Sequence, residues 1–396
     1  MKKIILAVGT RPEVIKMAPV YRALKQSATL QPVLLSTGQH REMLAQALAA
    51  FDLTPDADLA LMQPGQTLPE LTGRVINAVT EFIQANRPDA ILVQGDTTTV
   101  LAASIAATYA RVPVGHVEAG LRTYDMDHPF PEEMNRRLVS PLARWSFVPT
   151  ETSRRNLLQE HIAPETIHIT GNSVIDALLW MREKVSGKQA SPQEITQRLG
   201  IPVDFASKYL AASVTAGGPP RWILVTGHRR ESFGGGFESI CQALRQLVEE
   251  HADVGILYPV HLNPNVREPV NRLLSNHPRI ALIEPVGYED FIWLMDRCHF
   301  LLSDSGGVQE EAPSLGKPVL VMRTTTERPE GVEAGTCRLV GTDPAVILRE
   351  ARLLISDPVE YGRRSSLRNP YGDGQTSARI REILERDLGG GAASGE

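Results

Sequence analysis

The chain has 396 residues, 42% of them hydrophobic and 22% charged, with a formal net charge of −5. That length favours two domains, each able to bury a core of its own, and the mildly acidic balance points to neither nucleic acid nor an anionic membrane as partner. Cys241, Cys298 and Cys337 are odd in number, far apart and outside any CxxC pair, which argues against a disulfide framework and a zinc site and fits a reducing cytoplasm.

The opening MKKIILAVGTRPE pairs basic residues with an apolar run, but Arg11 and Glu13 stand where a signal cleavage site would be. No apolar stretch approaches the roughly 18 residues that span a bilayer. The run at residues 4–8 therefore reads as a first β-strand. Short apolar runs bounded by Gly, Pro or Asp, each followed by helical periodicity, recur along the chain in two series. The first series lies at residues 4–8, 33–36, 90–93, 112–116 and 145–148, and the second at 222–226, 255–258, 280–284, 300–303 and 319–322. The expected fold class is α/β: two doubly wound, Rossmann-like domains facing each other across a cleft, with ligands at the C-terminal ends of the strands. The expected division is 1–172 and 173–369, with a last helix at 370–388 packed back on the first domain, a mobile loop at 211–220 and a disordered tail at 389–396.

In such a fold the informative residues follow the strands. After the first strand, GTRPEVIK places Arg11 at a helix N-terminus, where anions are favoured, with Pro12 in its first turn and Lys16 about one turn on. Gly9 is the only glycine between Ile4 and Tyr21, so the G-x-G-x-x-G of a dinucleotide site is missing and NAD is not expected. The Y-x-x-x-K of Tyr21 and Lys25 lies on the first helix, far from where a reductase dyad belongs. After the third strand come Gly95, Asp96 and three threonines; Asp96 reads equally as a helix N-cap and as a site acid. The next strand ends in GHVEAG, bringing Glu118 to the equivalent height, where an acid is costly unless partnered. In HPFPEEMNRR, Glu132 and Glu133 open a helix that also carries Arg136, and first-turn acids alone satisfy the helix dipole.

The second series supplies donors. His228 and Arg229 lie in VTGHRRESFGGG, His261 in YPVHLNPN, and Ser305, Gly306 and Gly307 in LLSDSGGVQEEA, where backbone N–H groups suit a diphosphate. Glu311, one turn into that helix, suits the two ribose hydroxyls. His116 and Glu118 share a strand face, but no third ligand is near in sequence and no metal is expected.

Together these strings resemble the non-hydrolysing UDP-N-acetylglucosamine 2-epimerases, which have the GT-B architecture. The likeness runs through GTRPEVIKMAP, TGQHREML, QGDTTT, GHVEAGLRT, PEEMNRR, TETSRRNL, TGNSVIDAL, VTGHRRESFG, PVHLNPNV, DSGGVQEEAPSLGKPV and RTTTERPEG, covering about residues 1–386 in order. The resemblance implies catalytic roles for Asp96, Glu118, Glu132 and His228, with the division of labour among the three acids open. It implies UDP contacts at Arg11, Lys16, Arg136, Phe291, Ser305, Gly306, Gly307 and Glu311; Phe291 has no signal of its own. Gln39, Arg229 and His261 match a second UDP-N-acetylglucosamine site that activates some family members, although Glu42 and Gly65 depart from its pattern. The expected reaction converts UDP-N-acetylglucosamine to UDP-N-acetylmannosamine, a surface-polysaccharide precursor, in a cytoplasmic homodimer without a cofactor. A hydrolysing epimerase and a GT-B glycosyltransferase are the rival enzymes, and a UDP-sugar sensor is the rival of another class; a sensor would lose the acids that this chain keeps.

Overall fold

The computed structural model describes residues 1–38, 41–63, 65–187, 192–210 and 220–389, with the backbone alone for residues 41–43 and 192. Gln39, the loop residues 211–219 and the tail residues 390–396 lie outside the described residues. The chain divides into two units, Met1–Trp180 with Tyr371–Glu396 and Met181–Pro370, so the division falls inside the helix Ser173–Gly187 and not at its start.

The first unit holds a parallel sheet of β1 (Lys2–Val8), β2 (Leu30–Ser36), β3 (Ala57–Asp58), β4 (Ala90–Gln94), β5 (Val114–Val117), β6 (Ala143–Val148) and β7 (Ile167–Ile169) in the order β3-β2-β1-β4-β5-β6-β7. Parallel strands covered on both faces are apolar throughout, and β4, AILVQ, is buried at every residue. On one face Met17, Val20 and Leu24 of the helix Arg11–Lys25 pack with Ile380 and Leu384 of the helix Thr376–Gly389; on the other lie Val75, Val79 and Ile83 with Ala102, Ala103 and Ala106. Each of the Val, Leu, Ile and Met side chains among these contributes roughly 1.5–3 kcal/mol by leaving water.

The edge strands β3 and β7 do not stand out in the sequence because runs of two and three residues make no pattern. Strand β5 begins two residues later than its apolar run suggests, at Val114, and Glu118 follows its last residue directly.

The second unit holds β8 (Arg221–Thr226), β9 (Val254–Pro259), β10 (Ile280–Ile283), β11 (Phe300–Ser303), β12 (Val319–Val321) and β13 (Cys337–Leu339), parallel and in the order β10-β9-β8-β11-β12-β13. Strand β13 also escapes the sequence pattern, being three residues long with Arg338 exposed. In both sheets the strand order reverses direction beside the first strand, between β1 and β4 and between β8 and β11. Loops leaving a sheet at such a reversal diverge and leave backbone and side chains free to meet a ligand.

Candidate active site

At the first reversal, Thr10 caps the helix Arg11–Lys25 in a capping box closed by Glu13. Glu13 Oε2 accepts the N–H groups of Gly9 at 2.5 Å and Thr10 at 2.9 Å, while Oε1 accepts the Thr97 hydroxyl. One buried side chain thus ties the turn after β1 to the turn after β4. Burial pushes the Glu13 carboxyl up to about 7; the hydrogen bonds from Thr97, Gly9 and Thr10 oppose that rise and Asp96 adds to it. Arg11 begins the helix and is half-buried, and Lys16 reaches Glu118.

Glu118 is a residue under constraint. Its φ of +63° is left-handed, a region that costs a non-glycine residue on the order of 1–2 kcal/mol. Gly120 follows at φ +85°, and a Cβ there would run into the carbonyl of Ser153. Oε1 of Glu118 accepts Lys16 Nζ and, at 2.9 Å, Asn172 Nδ2, and Oε2 accepts Gln94 Nε2. With its side chain 5% exposed, the carboxylate is tolerated because these three donors replace water.

Asp96 is not the helix cap. Thr97 takes that place, its hydroxyl accepting Val100 N–H, and leaves the Asp96 carboxylate for Arg136, whose Nη1 donates to Oδ2 at 2.5 Å. Arg136 also meets Glu133 through Nε at 3.0 Å and Nη2 at 2.9 Å. Glu133 further accepts the N–H groups of Thr123 and Tyr124, and these bonds with Arg136 outweigh its burial and hold its carboxyl below the usual range. The two neighbouring acids of PEEMNRR therefore separate: Glu133 braces the loop, whereas Glu132 keeps one buried oxygen, Oε2, without a hydrogen-bond partner among the described residues. His116 is buried and lies with Nε2 2.7 Å from the Gly95 carbonyl, supporting the Asp96 turn. Burial drives its imidazole down to about 4, so it is neutral at physiological pH. Among the described residues no three His, Cys, Asp or Glu side chains gather as metal ligands.

At the second reversal, Asp304 follows β11, and its Oδ2 accepts the N–H groups of His228 at 2.7 Å and Arg229 at 2.8 Å. Its Oδ1 lies 3.1 Å from His228 Nδ1. The His228 ring stacks on His261, centroids 5.7 Å apart. His261, exposed, is kept below the ordinary histidine range, first by partial burial and then by His228. Ser305 caps the short helix Gly306–Glu311, and its N–H is held by Ser303 Oγ at 3.0 Å. Glu311 is buried and accepts the Tyr288 hydroxyl at 2.5 Å; Phe291 lies half-buried on the same helix as Tyr288, Tyr288–Arg297.

An ion-pair chain supports these loops. Arg328 donates to Glu310 at 2.7 Å and Glu327 at 2.6 Å, and Arg323 donates to Glu327 at 2.6 Å and Glu231 at 2.7 Å. Arg229 comes within 3.7 Å of Glu327. Burial favours the neutral acid, but Arg328 and Arg323 overcome it and bring Glu327 down to about 2. The Arg328 guanidinium occupies the space a Cβ on Gly306 would need, so a side chain there would have to displace it.

The structure thus brings together Lys16 with Glu118, Asp96 with Arg136, and His228 with His261. Sequence reasoning had no place for Gln94, Asn172, Asp304, Tyr288 or Glu327. Gln94 and Asp304 did carry a signal, a polar residue closing or following an apolar strand, whereas Glu327 and Tyr288 had none.

Two parallel-sheet α/β domains, each carrying its charged side chains at the sheet reversal, define an enzyme of the GT-B class. The family model described as UDP-N-acetylglucosamine 2-epimerase matches residues 22–385. The UDP-N-acetylglucosamine 2-epimerase of Escherichia coli K12 is 53% identical over 385 residues, covering 97% of this chain and 99% of that protein. A crystal structure of the Neisseria meningitidis UDP-GlcNAc 2-epimerase bound to UDP-GlcNAc is 45% identical, with a TM-score of 0.85 over 97% of this chain and all of that one (100%). The Methanocaldococcus jannaschii UDP-GlcNAc 2-epimerase, solved with UDP-GlcNAc and UDP, is 31% identical with a TM-score of 0.76, over 98% of this chain and 100% of that one. The chain belongs to the UDP-N-acetylglucosamine 2-epimerase family.

Proposed function

We propose that this chain inverts C2 of UDP-N-acetylglucosamine to give UDP-N-acetylmannosamine, without hydrolysis and without a redox cofactor. The hydrogen at C2 is not acidic, because C1 is an acetal carbon, so direct deprotonation is too slow. The reaction instead breaks the C1–O bond, the electron pair leaving with UDP, while a base takes the C2 proton; the product is 2-acetamidoglucal. Return delivers a proton to the opposite face of C2, and the UDP oxygen re-forms the bond to C1.

The observation that carries this reading is Glu118, a carboxylate held in a strained backbone conformation by Lys16, Gln94 and Asn172 at the end of a buried strand. A carboxylate so fixed is suited to stabilising positive charge at C1, since it needs no reorganisation as that charge develops. Glu132, with an oxygen lacking any hydrogen-bond partner among the described residues, and Asp96, ion-paired with Arg136 at the end of β4, are suited to exchanging the C2 proton. In the second domain His228, the Ser305–Gly307 turn and Glu311 suit the diphosphate and ribose of UDP, with Phe291 beside the uracil; Arg11, Lys16 and Arg136 belong to the same UDP assignment. The three cysteines are buried free thiols, which supports a reducing cytoplasm, and the proposal includes a homodimer supplying surface-polysaccharide synthesis. Activation by a second UDP-N-acetylglucosamine at Arg229 and His261 is part of the same reading, and a hyperbolic rate curve from pure UDP-N-acetylmannosamine would remove it.

The test is product analysis. Purified protein with UDP-N-acetylglucosamine and no added nucleotide cofactor should give UDP-N-acetylmannosamine at equilibrium, and release of free N-acetylmannosamine with UDP would replace this proposal with hydrolysis.

A further inference from the structure

We propose that Asp304 is the positioning residue of His228, holding the imidazole with its proton on Nδ1 and its Nε2 turned away from the protein. The inference rests on the reading of His228 as a group acting on the UDP diphosphate, and adds to it the residue that orients the ring.

The geometry is that of a carboxylate with two separate tasks. Asp304 Oδ2 is fully engaged by the consecutive N–H groups of His228 and Arg229, which fixes the backbone carrying the ring. Oδ1 makes no hydrogen bond to any described residue, although the aspartate side chain is 1% exposed. What lies beside it, at 3.1 Å, is His228 Nδ1, somewhat off the line of a hydrogen bond. A buried acceptor without a donor is costly, and a small rotation of a ring that is 41% exposed supplies one. The donor has to be Nδ1–H, because the aspartate accepts only. Burial alone would push its carboxyl up, but His228 and the two N–H groups prevail and hold it below the ordinary range.

The consequence falls on the other nitrogen. With Nδ1 committed to Asp304, the neutral ring offers Nε2 as an acceptor, and the protonated ring offers Nε2–H as a donor to a phosphate oxygen. His261 stacks against the ring, centroids 5.7 Å apart, and limits how far it can turn.

Asn at position 304 separates the two tasks. Its carbonyl oxygen can still take both backbone N–H groups, while its NH2 can only donate to Nδ1, which moves the ring proton to Nε2. The experiment is nitrogen-15 NMR of the full-length chain labelled at histidine, with His228 assigned by its loss in His228→Gln. Wild-type His228 is expected in the Nδ1–H form, and D304N in the Nε2–H form with unchanged Tm. Turnover of D304N should fall roughly 100-fold, KM changing less than about threefold, as expected when the ring loses the carboxylate that orients it and stabilises its protonated, Nε2–H-donating form. An Nε2–H ring in the wild-type protein overturns the proposal without any variant, and so does an unchanged tautomer in D304N. A switched tautomer with wild-type turnover overturns the positioning role; if His228→Gln also turns over at the wild-type rate, the failure belongs to the reading of the histidine and not to Asp304.

Discussion

After the first strand of each sheet the chain turns on a buried carboxylate that takes two consecutive backbone N–H groups. Glu13 Oε2 holds Gly9 and Thr10, and Asp304 Oδ2 holds His228 and Arg229. The backbone device is the same, and the second oxygen makes the difference. In Glu13 it meets a neutral hydroxyl, Thr97, and burial prevails, taking the carboxyl up to about 7. In Asp304 it faces an imidazole, and the carboxyl is held low against its burial. The contrast extends to each site: in the first domain cations and amides immobilise acids, as Lys16, Gln94 and Asn172 do for Glu118. In the second, acids immobilise cations and donors, as Asp304 does for the His228 loop and Glu327 for Arg323 and Arg328. The supporting charges of each domain are opposite in sign to the groups they present.

The largest test of this contrast is removal of the presented acids. Glu118→Gln and Asp96→Asn should each lower turnover about 100-fold or more; wild-type rates in both would leave the first domain without a catalytic role. Next comes Glu13. Its folded-state carboxyl is raised from 4.5 to about 7, so the native state keeps the proton that the unfolded chain loses. Its contribution is therefore fully present below about pH 4.5 and declines as pH rises to about 7, by at most about 3 kcal/mol. In urea titrations across that range, Glu13→Gln should become more stable relative to wild type as pH rises, by an amount that levels off above about pH 7. A constant difference would show that the Glu13 carboxyl titrates alike in the folded and unfolded chain. The smallest effect is local: Gly120→Ala forces a Cβ onto the Ser153 carbonyl at φ +85° and should cost about 2 kcal/mol in thermal unfolding. A neutral result would mean that the turn after Glu118 relaxes freely.

The central strands and the loops that follow them were legible because buried parallel strands are apolar runs and their ends are punctuated by Gly, Asp or Ser. Strands β3, β7 and β13 were not, since two or three residues on a sheet edge carry no periodicity. Asp96, Glu118 and Lys16 could be singled out by their position after strands or about one turn into the first helix. The choice between Glu132 and Glu133 could not, because it turns on which side chain folds back to Thr123 and Tyr124. Partners such as Asn172 for Glu118 lie 54 residues apart in sequence, and only the folded sheet brings them together.

In the elimination route the C2 hydrogen leaves and is replaced by one from solvent. Proton NMR of UDP-N-acetylglucosamine with the purified chain in D2O tests it directly: deuterium at C2 of the UDP-N-acetylmannosamine formed is the predicted result, and retention of the original hydrogen at C2 would contradict the elimination route.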